Sequence, residues 1–311
     1  MPIALSVVAV CGAQEVSSVA GRVVKPGGDS VVAVRQAWVT LHRVGTDHAG
    51  PMDSTHTGAA GYYAFTYKRA GASDAIYFVS SSHDGIAYFS HPLKGGHEAG
   101  DDAEIVVFDT TSRPIPVTIR GRHLIVSRPS SEGTRTVTEV FELSNDTSVT
   151  RVAPNESPAG AVWSSAIAAH ASNPVVGDGD IPAAAVRFAG SRVLVYAPMA
   201  PGMKQLAFHY DLPADAFPLS VPLERGAVVF EVLVEDSVAT ASGARLRAVA
   251  SVAIEGHEFR RYLAKDVPAD AVAVVSVPEA KKPPALLFVA GLTLLIGGAM
   301  TAALARALRR S

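Results

Sequence analysis

The chain has 311 residues, a formal net charge of −2 and a single cysteine, Cys11. A charge so close to zero argues against a nucleic-acid surface, because phosphate binding needs an excess of Lys and Arg. One thiol excludes an intrachain disulfide, a thiolate zinc site and haem attachment through CxxCH. The roughly 265 residues between the two ends are enough for two domains.

The N-terminal residues 1–14 predict a secretory signal peptide. An apolar stretch from Ile3 to Val10 is followed by small residues suited to cleavage near Ala13 or Gln14. No Lys or Arg precedes the apolar stretch, so two alternatives stay open: a start further upstream, or a buried strand in place of a signal. Cleavage here removes Cys11 and with it any cysteine nucleophile. Lipidation of Cys11 is a further alternative, although a bulky valine stands where lipoprotein signals have a small residue.

Short valine-rich runs, broken by Gly, Pro, Asp and Ser at intervals of about 8 to 12 residues, predict an all-β fold. Segments such as Trp38 to Val44 and Val228 to Val234 are β-branched and partly alternating, as half-buried antiparallel strands are. Helical periodicity is scarce before residue 285. We therefore predict two tandem β-sandwich domains, residues 17–108 and 109–277, followed by one C-terminal transmembrane helix.

Six strands are predicted in the first domain, at residues 18–24, 37–44, 61–67, 75–81, 85–90 and 103–108. Pro26-Gly27-Gly28-Asp29 predicts a hairpin or loop after the first of them. Alternation puts Tyr63, Phe65 and Tyr67 on one side of the third strand and Tyr62 on the other. Because one side faces the core, we expect most of these rings to pack there.

Four motifs of this domain occur in an order known from one family. They are Ala20-Gly21-Arg22-Val23-Val24, Ala37-Trp38-Val39-Thr40-Leu41, Thr57-Gly58-Ala59-Ala60-Gly61-Tyr62-Tyr63-Ala64-Phe65 and Ile76-Tyr77-Phe78-Val79-Ser80. The domain resembles the carboxypeptidase regulatory-like domain, a transthyretin-like β-sandwich. The resemblance implies no catalytic residues, and members of that family often serve as stalks, adhesion modules or carbohydrate-associated domains. Gly61 is expected in a tight turn before the aromatic strand.

The second domain opens with a polar, proline-bearing hinge over residues 108–116. Its strands are predicted at residues 122–126, 136–143, 193–196, 204–212, 219–223, 228–234 and 271–277. The strand over 136–143 alternates Thr or Glu with apolar residues, which indicates one wet face. Residues 153–182 are rich in Ala, Gly and Pro and predict long loops or edge excursions. This domain is loosely similar to uncharacterised exported bacterial β-domains, a similarity that implies no function.

The C-terminal end predicts a membrane anchor, with a buried core helix as the alternative. Residues 285–305 carry no charge, and at about 1.5 Å per residue a helix of this length crosses the hydrocarbon core of a bilayer. Lys281 and Lys282 precede this stretch and a short basic tail, residues 306–311, follows it. The Pro-rich neck, residues 278–284, is expected to be a stiff spacer.

The signal peptide sets the predicted topology. With it, the chain crosses the cytoplasmic (inner) membrane once, the bulk of the chain is extracytoplasmic and the C-terminus is cytoplasmic. Without it, the chain is a tail-anchored protein whose body faces the cytosol.

We assign no metal site and no cofactor from the sequence. Six histidines fall in the first domain, but they form no HxH, HExxH or HxxxH pair, and most lie in predicted loops: His42, His48, His56, His83, His91 and His97. Gly177-Asp178-Gly179-Asp180 lacks the rest of a calcium loop and is interpreted as a turn. Met199-Ala200-Pro201-Gly202-Met203 with His209 offers soft ligands for copper, but a Pro-Gly turn explains the same residues.

The sequence favours a non-enzymatic function. No G-x-S-x-G motif occurs, and no residue is assigned a catalytic role. We predict a membrane-anchored envelope protein whose extracytoplasmic β-sandwiches act as a protein interaction or assembly module. Its expected partners are the lipid bilayer, through residues 285–305, and other envelope proteins, with no nucleic acid.

Two other functions stay open. A carbohydrate- or small-ligand-binding surface protein requires a planar row of exposed tyrosines, drawn from Tyr62, Tyr63, Tyr67, Tyr77 and Tyr88. A metal-handling envelope protein, for copper or zinc, requires three ligands within about 5 Å of one another. The candidate sets are His83, His91 and His97, or Met199, Met203 and His209.

Overall fold

The computed structural model describes residues 16–277, and the regular structure there is all strand apart from four short 3-10 helices. These helices are Gly100–Ala103, Pro158–Gly160, Ala183–Ala185 and Ala214–Ala216. The predicted all-β fold is therefore confirmed for this part of the chain. None of the helices described is long and apolar enough to cross a membrane. The predicted signal peptide, neck, membrane helix and tail fall outside the described residues.

Nine strands in the first part of the chain form two sheets. They are β1 (Val16–Gly27), β2 (Ser30–Ala33), β3 (Trp38–Val44), β4 (Ala49–His56), β5 (Tyr62–Lys68), β6 (Ile76–His83), β7 (Ile86–Phe89), β8 (His97–Ala99) and β9 (Ile105–Val106). In the first sheet, β1 pairs antiparallel with β2 and β5 and parallel with β8 and β9. The second sheet has the order β4-β3-β6-β7 and is antiparallel.

The two sheets enclose one hydrophobic core, filled by alternate residues of their strands. Its largest contributions are Val19 and Val23 of β1, Val39 and Leu41 of β3, Tyr63, Phe65 and Tyr67 of β5, Tyr77 and Val79 of β6, and Tyr88 of β7. The predicted alternation in β5 is confirmed, since Tyr62 points away from this core and is exposed. Each large apolar side chain buried in this way contributes about 1.5–3 kcal/mol.

Two glycines permit the close approaches that this core requires. A Cβ on Gly21 would lie 2.0 Å from the carbonyl oxygen of Ala103, so a larger residue would push the neighbouring segment away from β1. Gly61 has φ of +77°, and its N–H donates to the carbonyl of Gly58. This geometry confirms the tight turn predicted before the aromatic strand.

Fifteen further strands follow. They are β10 (Thr110–Thr111), β11 (Thr118–Val126), β12 (Arg135–Asn145), β13 (Thr150–Arg151), β14 (Trp163–Ala166), β15 (Ser172–Val176), β16 (Val186–Ala189), β17 (Arg192–Val195), β18 (Gly202–Leu212), β19 (Leu219–Leu223), β20 (Ala227–Val234), β21 (Thr240–Gly243), β22 (Arg247–Ile254), β23 (His257–Val267) and β24 (Ala271–Ser276). Seven of them form the largest sheet, β15-β18-β12-β11-β20-β23-β22. Smaller sheets are β14-β17-β16, β19-β24-β21 and β10-β13.

The described chain divides into two compact units. Unit 1 contains the residues up to 118 together with 142–165 and 179–206. Unit 2 contains residues 119–141, 166–178 and those from 207 onward. Unit 1 thus adds later segments to the two sheets of the first part of the chain. The division into domains over 17–108 and 109–277 stays a prediction.

Several strands were not predicted from the sequence, and the reasons can be seen in their residues. Strand β4 is exposed along almost its whole length and shows no apolar alternation. Strand β23 carries five charged residues between Glu258 and Asp266. Its sequence therefore shows no clear apolar alternation, although Tyr262 and Ala264 are buried. Part of the region predicted as loops or edge excursions, 153–182, forms β14 and the edge strand β15.

Candidate functional site

An exposed apolar surface on one sheet of unit 1 is the strongest candidate for a functional site. It consists of Trp38, Val44, Ile76, Phe78 and Phe89, and we call these residues the apolar face. Trp38, Val44, Ile76 and Phe89 are 50%, 43%, 50% and 60% exposed. All five belong to β3, β6 and β7, where they alternate with the buried residues that fill the core. The two-residue period of these strands therefore makes both sides of the sheet apolar.

Strand pairing brings Val44, Ile76, Phe78 and Phe89 side by side across three strands, whereas Trp38 lies further along β3, beyond Thr40. Val44 lies opposite Ile76, and Phe78 lies opposite His42. Phe89 of β7 lies opposite Ser80, two residues from Phe78 on β6. At the other end of β3, the Trp38 ring packs edge-on against the ring of His56, with centroids 4.7 Å apart.

The rings on this surface stack on one another. The His42 and Phe78 rings are nearly parallel, with centroids 5.0 Å apart and an interplanar angle of 15°. Phe89 meets Phe78 edge-on, with centroids 5.7 Å apart. Partial burial lowers the pKa of His42, and its Nε2 lies 2.8 Å from Ser80 Oγ. Burial therefore favours the uncharged form of the ring at the centre of the apolar face.

The tyrosine row that a sugar-binding surface would require is not formed in the described part of the chain. Tyr63, Tyr67, Tyr77 and Tyr88 are buried. The Tyr63 hydroxyl donates to the carbonyl of Ala103, and burial raises the pKa of Tyr63 well above its usual range. The rings of these four tyrosines pack the core, as the sequence predicts for most of them.

Tyr62 is exposed, but its ring contacts the side chain of Arg22. The guanidinium of Arg22 lies over its ring, 5.6 Å from the centroid. One face of the Tyr62 ring is therefore covered by a cation from the neighbouring strand.

One group of side chains in residues 16–277 has the spacing of a metal site, and the sequence analysis did not combine these residues. Ligand atoms of His83, Asp84 and Asp109 all lie within 4.8 Å of one another. Asp109 is already engaged, because Lys25 Nζ lies 2.8 and 2.9 Å from its two carboxylate oxygens and His83 Nε2 lies 2.9 Å from one of them. Hydrogen bonds from Lys25 and His83 lower the pKa of Asp109. A metal ion would have to displace the ammonium of Lys25.

The two ligand sets proposed from the sequence, one of three histidines and one of two methionines and a histidine, do not come together as a metal site. His97 Nδ1 lies 2.6 Å from Ser18 Oγ, whereas His83 contacts Asp109. Met203 and His209 both belong to the extended strand β18, six residues apart, which separates them by about 20 Å. Asp180 of the Gly-Asp repeat accepts the backbone N–H of Gln205, 25 residues further along the chain, at 2.8 Å.

Unit 2 contains a buried ionic cluster. Arg122 of β11 and Glu139 of β12 are 3% and 1% exposed, and Arg122 Nη2 donates to Glu139 Oε2 at 2.7 Å. The hydroxyl of Tyr210 of β18 donates to the other carboxylate oxygen at 2.9 Å. Arg122 Nη1 donates to the carbonyl of Pro222, and its guanidinium lies over the rings of Phe141 and Phe230. Every atom of the Glu139 carboxylate is therefore bound to a donor, as a buried charge requires.

A second cluster in unit 2 lies near the surface. Glu231 of β20 contacts His123 Nδ1 at 2.6 Å and accepts a short hydrogen bond from Arg261 Nε. Burial alone would raise the pKa of Glu231, but the hydrogen bonds from His123 and Arg261 together lower it below its ordinary value. Each oxygen of the Glu231 carboxylate is thus held by one of the two neighbouring side chains, His123 or Arg261.

A polar cleft of about 200 Å³ also lies in unit 2, beside the hairpin of β22 and β23. Its lining residues are Asp236, Ser237, Ser251, Glu258 and Arg260. Asp236 accepts a hydrogen bond from Arg135 at 3.0 Å, and Arg260 donates to the carbonyl of Ala239 at 2.9 Å. Of the charged residues that line the cleft, Asp236 is therefore paired with a cation and Arg260 is held by a backbone carbonyl.

Comparison with known proteins adds no assignment for these sites: no known protein family and no curated protein matches the sequence. The apolar face is the feature that the internal contacts of the fold leave without an explanation. The sequence contains a pattern that predicts this face: Trp38, Val44 and Ile76 are apolar residues on the outward side of two strands that were predicted correctly.

Proposed function

We propose that this protein is a non-enzymatic, membrane-anchored envelope protein whose β-domains act as an interaction or assembly module. In this proposal the chain consists of two tandem β-sandwiches and a membrane helix over residues 285–305, with the bulk of the chain outside the cytoplasmic membrane. The apolar face is the docking surface, and its partner is another envelope protein that presents an uncharged, apolar surface.

The exposure of the apolar face is the observation that carries this proposal. Large apolar side chains that form one continuous patch are unfavourable in water, and on soluble domains such patches mark interaction sites. Interface centres are rich in aromatic residues and poor in charge, as is the surface formed by Trp38, Phe78 and Phe89. An isolated exposed valine would carry no such meaning.

Ring geometry favours a protein partner over a sugar. A sugar stacks on the open face of a ring, but one face of the Phe78 ring is covered by His42 and one face of the His42 ring by Phe78. The edge of Phe89 meets Phe78, so the three rings form an interlocked ridge instead of a flat platform. An apolar protein surface packs against such a ridge without needing open ring faces.

The test uses the full chain, extracted in detergent through a tag on its C-terminal tail. The unmodified chain is expected to carry a stoichiometric partner. Phe89→Asp places a charge at the centre of the interface, where hot-spot changes cost about 2 kcal/mol or more, or roughly 30-fold in affinity. We expect this variant to lose the partner while keeping the hydrogen-exchange protection of β3 and β6.

Val238→Asp is the matched control, because Val238 is as exposed as Phe89 but belongs to unit 2 and not to the apolar face. It should retain the partner at the level of the unmodified chain. If the unmodified chain yields no stoichiometric partner, the assembly function is wrong. If Phe89→Asp keeps the partner, the docking surface lies elsewhere.

A further inference from the structure

The edge strand β22 has the features of a pairing surface. It ends the seven-stranded sheet, and within residues 16–277 no strand pairs with its outer edge. Seven of its eight residues are exposed. Between Arg247 and Glu255 the chain carries no charge and no proline. An edge of this kind presents free backbone N–H and C=O groups, which are a template for another strand.

The opposite edge of the same sheet is protected. Strand β15 is short and has Pro174 at its centre, and proline cannot donate a ladder hydrogen bond. Strand β22 has one feature that limits pairing, a bulge between Val249 and Val252, which increases the local twist. The residues on either side of the bulge remain extended. The edge therefore offers two short segments for pairing, one before the bulge and one after it.

The charges at the ends of β22 point to the partner. Arg247 begins the strand and Glu255 follows its last residue, and both are exposed. When two copies pair antiparallel, the start of each strand lies beside the end of the other. Arg247 of each copy then lies near Glu255, in the turn that follows β22 of the second copy, and Ser251 lies near the twofold axis. The strand is therefore complementary to itself, which a binding site for an arbitrary peptide need not be.

We propose that β22 pairs antiparallel with β22 of a second copy, so that the seven-stranded sheet continues across a twofold axis. This interface is separate from the apolar face, which lies in unit 1. It goes beyond the proposed function because it concerns self-association and not a different envelope protein.

The first experiment places a cysteine on the axis of the full chain in detergent, with Cys11 changed to Ser. Directly opposed residues of an antiparallel pair have Cα atoms about 4.5–5.5 Å apart, within reach of a disulfide. Ser251→Cys is therefore expected to give a disulfide-linked dimer on mild oxidation. Ser172→Cys, an exposed serine on β15, is the control and should stay monomeric. Equal cross-linking of both variants, or a mixed link between them, overturns the proposal.

The second experiment exchanges the end charges in the Ser251→Cys chain. Arg247→Glu and Glu255→Arg each place like charges opposite each other twice, by symmetry, which should weaken dimerisation roughly fivefold. The double variant restores both pairs and should restore cross-linking. A peptide or unrelated chain as the true occupant would leave cross-linking insensitive to these changes. Loss of cross-linking in the double variant would also contradict the antiparallel register.

Discussion

The interiors of the two units are built on different chemistry. The core of the two sheets in unit 1 consists of aliphatic residues, tyrosines and Phe65, and the Tyr63 and Tyr88 hydroxyls reach backbone carbonyls at its margin. Unit 2 instead buries a complete ionic cluster, in which Arg122 and Tyr210 hold the carboxylate of Glu139. The first kind of interior depends on area removed from water, and the second depends on every charged atom keeping its partner.

This difference predicts unequal sensitivity to single changes. An apolar core loses stability in proportion to the atoms removed and the cavity left behind. A buried ion pair contributes little over an apolar pair of the same shape, but a single missing partner leaves an uncompensated charge. The interior of unit 2 should therefore be the more sensitive one to a substitution that removes a single member of its buried ion pair.

Glu139→Leu should have the largest effect of the changes considered. It leaves the guanidinium of Arg122 buried without a carboxylate, which costs about 3–5 kcal/mol of unfolding free energy. Hydrogen exchange measured by mass spectrometry should show lost protection in β11, β12 and β20. Adding Arg122→Met removes the unpaired charge, so the double variant should recover most of the loss. A double variant no more stable than Glu139→Leu would show that the pair matters for more than charge compensation.

Tyr63→Phe tests the tyrosine margin of unit 1 and should have a smaller effect. The change keeps the ring in the core and removes one hydrogen bond to the Ala103 carbonyl, at a cost of about 1 kcal/mol. Trp38 and Trp163 both lie in unit 1, so tryptophan fluorescence in a urea titration reports on this unit. Tyr62→Phe, on the exposed side of the same strand, is the control and should leave the midpoint unchanged. A loss for Tyr63→Phe above that expected for Glu139→Leu would reverse the comparison.

Much of unit 1 could be predicted from the sequence, because strict alternation of apolar and polar residues along a strand indicates which side chains face the core. The burial of Tyr63, Phe65 and Tyr67 and the turn at Gly61 were all readable in this way. The same alternation also predicts the apolar face, although the sequence analysis named only tyrosines as candidates for an exposed aromatic surface. Its true members are the outward residues of β3, β6 and β7, which include no tyrosine.

The ionic cluster of unit 2 was beyond prediction for a physical reason. Strand β12 was expected to turn its Thr and Glu residues to water, but Glu139 shares the buried side with Val137 and Phe141. Its burial is possible only because Arg122 and Tyr210, from two other strands, meet it there. Tyr210 lies 71 residues from Glu139 in the sequence, and a pairing of strands so far apart cannot be derived from periodicity within one strand.

The smallest expected effect concerns pH and compares one carboxylate from each unit. Asp109 in unit 1 accepts hydrogen bonds from His83 and Lys25, Glu231 in unit 2 accepts them from His123 and Arg261, and both carboxylates have a lowered pKa. A carboxylate with a lowered folded-state pKa stabilises the fold above its unfolded pKa, and this stability is lost as the pH falls through the folded-state pKa. Both units should therefore lose stability as the pH falls below the ordinary carboxylate range.

The two carboxylates differ in burial, which fixes the expected order of their effects. The Asp109 side chain is 53% exposed, so water screens its ion pairs, whereas the Glu231 side chain is 11% exposed. Glu231→Gln should cost about 1 kcal/mol at pH 7 and flatten the loss of stability on acidification, whereas Asp109→Asn should change both much less. Urea midpoints measured between neutral and acidic pH, by fluorescence for unit 1 and hydrogen exchange for unit 2, provide the comparison. An equal effect of the two substitutions would mean that solvent screening at Asp109 is weaker than its exposure implies.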